Sequence, residues 1–93
     1  MKYEWNEKKS QLNYEKHGLD FKDAEFVFSS KIISFVDDRE DYGEERFITL
    51  GELKKRIVVV VHTQRHLVTR IISMRKANER EKKIYLKRLK EIG

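Results

Sequence analysis

At 93 residues, 39% hydrophobic and 40% charged, the chain is expected to form one domain (residues 1–93) around a single small core. The absence of cysteine excludes a disulfide framework and a thiolate zinc site, and it fits a cytoplasmic location. The longest apolar run, residues 57–61, is too short to cross a bilayer, and the opening MKYEWNEKK lacks a signal-peptide core, so no membrane role is expected.

In chain order, EWNEKKSQLNYEKHG predicts a first helix. Asn6 can cap its start, Lys16 and His17 suit its last turn, and Gly18 suits a left-handed stop. Asp20 reads as the cap of a second helix with Phe21, Ala24 and Phe28 on one face. Four strands follow, over residues 32–37, 46–50, 56–63 and 68–75. The first two flank the polar loop DDREDYGEE, and Lys54, Lys55 and then TQRH make the later connections. Connections this short imply antiparallel pairing. The run IVVVV marks the third of these strands as central and buried on both faces. A last helix covers residues 77–92. The expected fold is therefore α+β: a small antiparallel sheet of about four strands, with two helices before it and one after.

Charge divides sharply along the chain. Residues 1–53 carry 8 Lys+Arg against 13 Asp+Glu, a net of −5, whereas residues 54–93 carry 13 against 3, a net of +10. Such segregation points to a polyanionic or acidic partner on the C-terminal side, the plain alternative being a solvated, highly charged surface. Lys76, Arg80, Lys83, Lys87 and Lys90 recur at intervals of four and three, which puts them on one exposed stripe of the last helix. Ile84, Tyr85, Leu86, Leu89 and Ile92 take the opposite side. Glu81 falls inside that apolar side and needs a cationic partner, for which a strand arginine is the natural candidate.

Alternation along the last strand sets Arg70 and Arg75 on opposite faces. One of them is then expected to pair with Glu81 under a helix, Arg70 if that face is the covered one, while the other joins Arg46, Arg56 or Arg65 in a cationic site. The alternative is that these arginines serve only in salt bridges. His62, at the end of the central strand, is placed either as a general base or as a histidine at the core's edge. His62 and His66 do not share a face, and Asp37, Asp38 and Asp41 have no diagnostic spacing, so no metal is assigned. Neither a phosphate loop nor a nucleophile elbow occurs, and no cofactor is expected.

The order NYEKHG, FKDAEFVF, YGEER, VVVHTQR and RIISMRKA, with a following Glu and Tyr, resembles the BrnT family, toxins of type II toxin–antitoxin systems with a RelE-like ribonuclease fold. The similarity runs from Trp5 to Tyr85, and the chain departs from the family's pattern at Asn6, His62 and Met74. The resemblance implies an endoribonuclease that inhibits translation without a metal ion. It also implies neutralisation by a co-encoded antitoxin with a DNA-binding domain, in a hetero-oligomer that binds operator DNA through the antitoxin. RelE-like enzymes rely on Arg and Lys more than on a strong base. On that ground Arg65, Arg70, Arg75 and Arg46 are the expected catalytic residues, with His62 or Tyr85 helping proton transfer and Lys76, Arg80, Lys83 and Lys87 holding RNA. A basic RNA- or DNA-binding module without catalysis is the alternative.

Overall fold

The structure is a computed structural model that describes residues 2–92. Five strands form one sheet: β1 (Lys2–Glu4), β2 (Ile33–Asp37), β3 (Arg46–Leu53), β4 (Arg56–Arg65) and β5 (Val68–Lys76), in the spatial order β1-β5-β4-β3-β2. Pairing is antiparallel except between β1 and β5, which run parallel. The sheet is therefore mixed and five-stranded rather than antiparallel and four-stranded. The extra strand lies in the first few residues, where a strand of three residues is too short to leave a period in the sequence. β4 is central as expected, with Val58–Val60 fully buried.

Helix α1 (Glu7–His17) starts at Asn6, whose side chain accepts from the Lys9 amide, and stops at Gly18 with φ of 71°. Both ends fall where the capping residues place them, and residues 2–4, ahead of the cap, are drawn into the sheet. Asp20 caps as expected, but a 3-10 turn (Phe21–Asp23) precedes the short helix α2 (Ala24–Ser29). These elements cover one face of the sheet, where Leu19, Phe21, Ala24, Val27, Leu53, Val58, Val60, Ile71 and Met74 form the larger core. Gly51 permits the close approach of α2, because a Cβ there would lie 2.7 Å from Val27 Cγ1.

Helix α3 (Glu79–Ile92) covers part of the other face, packing Tyr85, Ile84 and Leu89 against Ile33, Leu50, Val59 and Ala77. Leu86, expected among these, is 53% exposed. The Ile92 side chain lies outside what is described. The helix starts through a reciprocal cap in which the Glu81 amide donates to Asn78 Oδ1 and the Asn78 amide donates to Glu81 Oε1. No described helix is long and apolar enough to cross a membrane.

One irregularity decides which residues share a face. Val61 pairs with Ser73 and His62 with Ile71, so Ile72 has no partner on β4 and β5 carries an extra residue there. Ile71 and Met74, three apart, accordingly both point into the core under α1 and α2. Arg70 and Arg75 therefore share the opposite face, against the expectation from simple alternation. On β5 the Met74 amide is taken by Asn13 Oδ1 of α1 at 3.2 Å, while Asn13 Nδ2 donates to the Leu19 carbonyl.

A candidate active site on the arginine face

Register places the functional side chains in rows across the sheet. Ile33, Leu50, Val59 and Arg75 make one row, and Phe35, Ile48, Val61 and Ser73 the next. Asp37, Arg46, Thr63, Arg70 and Glu4 make a third, which spans all five strands. Helix α3 covers the first row and leaves the third beyond its end. Strands lie about 4.8 Å apart, so the Arg46 and Arg70 backbones are roughly 10 Å apart with Thr63 between them. Arg65 follows Thr63 by two residues on β4. The sheet thus gathers Arg46, Arg65, Arg70 and Arg75 on one face.

Arg39 and Tyr42 join them from the loop between β2 and β3. Asp37, with 1% of its side chain exposed, receives two bonds from the Arg39 guanidinium (Nε to Oδ1 at 2.7 Å, Nη2 to Oδ2 at 2.8 Å), a third from the Arg39 amide and a fourth from the Tyr42 hydroxyl. These hydrogen bonds, the Arg39 ones foremost, hold the Asp37 carboxyl down at about 2, and Asp37 in turn raises the Arg39 guanidinium. The loop reads from sequence as an acidic surface segment. What it lacks in sequence is a sign that Asp37 faces inward, and that depends on strand register.

Glu81 finds its arginine, and the arginine is Arg75. Nη1 and Nη2 of Arg75 bind Oε1 and Oε2 at 2.7 and 2.8 Å, lowering the Glu81 carboxyl and raising the Arg75 guanidinium. Arg39 lies close enough for its charge to act on both. Arg70 pairs with Glu4 at 3.0 Å instead of Glu81, because it lies two rows along the sheet from Arg75, beyond the end of α3 and directly opposite Glu4 on β1. Arg65 meets Glu44 at 3.5 Å. Of the five arginines, Arg46 alone has no carboxylate among the described residues. Its guanidinium stacks on the Tyr42 ring, 4.0 Å from the centroid, and its Nε is buried without a partner.

The other expected residues lie elsewhere. Arg80, Lys83, Lys87 and Lys90 are exposed on α3. Lys76, expected on the same helical stripe, lies instead on β5, where its pairing with Val58 turns it to the face that carries α1 and α2, away from the arginines. Tyr85 is 2% exposed and donates its hydroxyl to the Lys31 carbonyl at 2.6 Å, tying α3 to the segment before β2; burial raises its pKa. His62 sits on the opposite face of the sheet, under α2. Phe28 meets it edge-on, Phe47 stacks on it, and its Nε2 bonds Thr49 Oγ1 at 2.7 Å. Burial pushes the His62 pKa down to about 4, so the ring is neutral at neutral pH. Among the described residues no three His, Asp or Glu side chains gather as a metal site.

A small α+β domain with a face of arginines drawn from three strands and a loop carries the guanidinium chemistry that suits phosphate groups. A family description agrees: "Ribonuclease toxin, BrnT, of type II toxin-antitoxin system" matches residues 5–81. The chain belongs to the BrnT family, whose members are ribonuclease toxins partnered by a co-encoded antitoxin. No individual curated protein gives a significant match.

Proposed function

We propose that this chain is an endoribonuclease that cleaves single-stranded RNA on the arginine face and thereby inhibits translation in the cytoplasm. The observation that carries the reading is the bulge at Ile72, which turns Arg70 and Arg75 to the same face as Arg46 and Arg65. In cleavage by the neighbouring 2′-hydroxyl, negative charge builds on the phosphoryl oxygens, and fixed cations stabilise that charge without reorganising. Arg46 is free to take the scissile phosphate at once. Arg70 and Arg65 hold half-exposed carboxylates whose pairs contribute roughly 0–1 kcal/mol each, so phosphate oxygens can replace them at small cost. Arg75, bonded twice to the more buried Glu81, offers its charge to the phosphate without leaving that pair. Arg80, Lys83 and Lys87, exposed on α3, continue the cationic surface along the strand of RNA. The reaction needs no metal ion on this reading, since the inward carboxylate, Asp37, already has both oxygens bound by Arg39.

His62 and Tyr85 belong to the scaffold on this reading, because each is buried away from the arginine face, Tyr85 with its hydroxyl bonded to the Lys31 carbonyl and His62 with Nε2 bonded to Thr49. Neutralisation follows from covering the arginine face: a co-encoded antitoxin with an acidic segment opposes it by charge and blocks RNA. Its DNA-binding domain then carries the hetero-oligomer to operator DNA. Expression should arrest growth, and the adjacent open reading frame should relieve the arrest. Purified protein should cleave single-stranded RNA in the presence of a chelator, and 2′-deoxy substitution at the cut position should abolish cleavage. Growth without arrest, together with intact RNA, would leave only the binding-module alternative.

A further inference from the structure

Between the start of α3 and the sheet lies a cavity of about 360 Å³, large enough for a small planar ligand. Phe35, Ile48, Leu50 and Ile84 line its apolar part, and Asn78, Arg80 and Glu81 its polar part. It adjoins the arginine face on two sides. Phe35 and Ile48 occupy the row next to Asp37 and Arg46, about 7 Å away along the strands, and Glu81 is the residue that Arg75 grips. A group seated there is therefore within one phosphate-to-base reach of Arg46 and of Arg75.

The polar part offers donors. Both Glu81 oxygens are engaged, Oε1 by Arg75 and the Asn78 amide and Oε2 by Arg75. Among the described residues, neither the Asn78 side-chain nitrogen nor the Arg80 guanidinium has an acceptor within the chain. An aliphatic side chain from a protein partner would fill the apolar part and leave these donors idle. A flat ring with neighbouring acceptors on its edge, attached to a phosphate, uses all of them.

We propose that the cavity holds one unpaired nucleobase of the RNA beside the phosphate on Arg46, stacked on Phe35, and that Asn78 and Arg80 favour guanine. Guanine presents two adjacent acceptors, O6 and N7, whereas adenine puts a donor amine beside its N7. Unpaired bases stack on aromatic rings in just this way in single-strand recognition. The inference rests on the RNA-cleaving reading of the same face and adds a base preference to it.

The test uses the full chain and uncleavable 2′-O-methyl trinucleotides with guanine, adenine or an abasic site in the middle, followed by amide-resolved NMR titration at low salt. The guanine oligonucleotide should bind about tenfold tighter than the adenine one, shifting the amides of Ile48, Asn78 and Ile84. Phe35→Leu, which keeps apolar volume and removes the ring, should weaken binding of both base-containing oligonucleotides by about tenfold and leave the abasic one unchanged. Arg80→Ala should erase the guanine preference. Equal affinity for all three probes, with shifts at Arg46 and Arg70 but none in the cavity, overturns the base site and leaves the RNA face standing. No binding of any probe removes the RNA reading itself. Cavity shifts caused by the antitoxin alone would assign it to that partner and overturn the proposal.

Discussion

The two faces of the sheet are built on opposite terms. Under α1 and α2 the core is apolar or neutral, and the polar side chains that enter, Asn13, Thr49 and His62, make bonds within the chain, His62 through Nε2 alone. On the other face a smaller core under α3 gives way to five arginines against four carboxylates. A domain of this size has little apolar area to spare, so it concentrates its packing on one side and leaves the other free for charge. Stability and chemistry are thereby divided between faces that share the same strands.

If that division holds, the largest effect belongs to the packed face. Phe21→Ala should lower unfolding free energy by about 3–5 kcal/mol in denaturant titrations, since Phe21 is 1% exposed in the main core. A loss below about 1 kcal/mol would mean the face carries less of the fold than its burial suggests. The mirror experiment is Arg46→Ala, which should cut RNA cleavage by on the order of 10²–10³ and leave the thermal midpoint near that of the parent. A variant that melts early and cleaves normally would reverse the assignment of the faces.

A pH titration sharpens the comparison next. The folded chain holds His62 neutral down to about 4, whereas the unfolded chain protonates it below its ordinary value of about 6.5. The unfolded state therefore binds the extra proton in that window, and stability should fall by roughly 2–3 kcal/mol as pH drops from 6.5 to 4. The depressed carboxylates, Asp37 and Glu81, give up their contribution only further down, as pH falls through their lowered values. His62→Phe should flatten the upper window and preserve cleavage; a slope that survives the substitution must come from another group.

The smallest effect is expected from the pair that joins the faces' two styles. A double-mutant cycle on Arg75 and Glu81 should give a coupling of about 1 kcal/mol, modest because Arg75 is about one-third exposed. Arg75→Ala should cost cleavage as well as stability, whereas Glu81→Gln should cost stability chiefly. Coupling near zero with unchanged cleavage in Arg75→Ala would remove it from both roles.

Much of this plan is legible in the sequence. The central strand, the Asn6 and Gly18 boundaries, the exposed basic residues of α3 (though not Lys76, which belongs to β5) and the need of Glu81 for an arginine all follow from local pattern. The reciprocal cap was visible too, as Asn78 followed by Glu81 three residues later, a spacing that also explains why a carboxylate stands there. What local pattern does not encode is register. The face of Arg70 depends on one unpaired residue in β5, and the inward turn of Asp37, with the roles of Arg39 and Tyr42, depends on how β2 pairs with β3. The pairing of Lys2–Glu4 with β5 depends on chain segments some 66 residues apart.

Asn13 deserves a last consequence. Its side chain joins α1 to β5 beside the bulge, and so it fastens NYEKHG to RIISMRKA, the two segments that most resemble the family. What reads along the chain as two separate signatures is then a single mechanical part: a clasp that fixes the phase of the strand. Lengthening or shortening β5 by one residue between Arg70 and Met74 would leave the composition almost untouched and still turn Arg70 into the core. Insertions and deletions there, more than substitutions, are the changes this molecule cannot absorb.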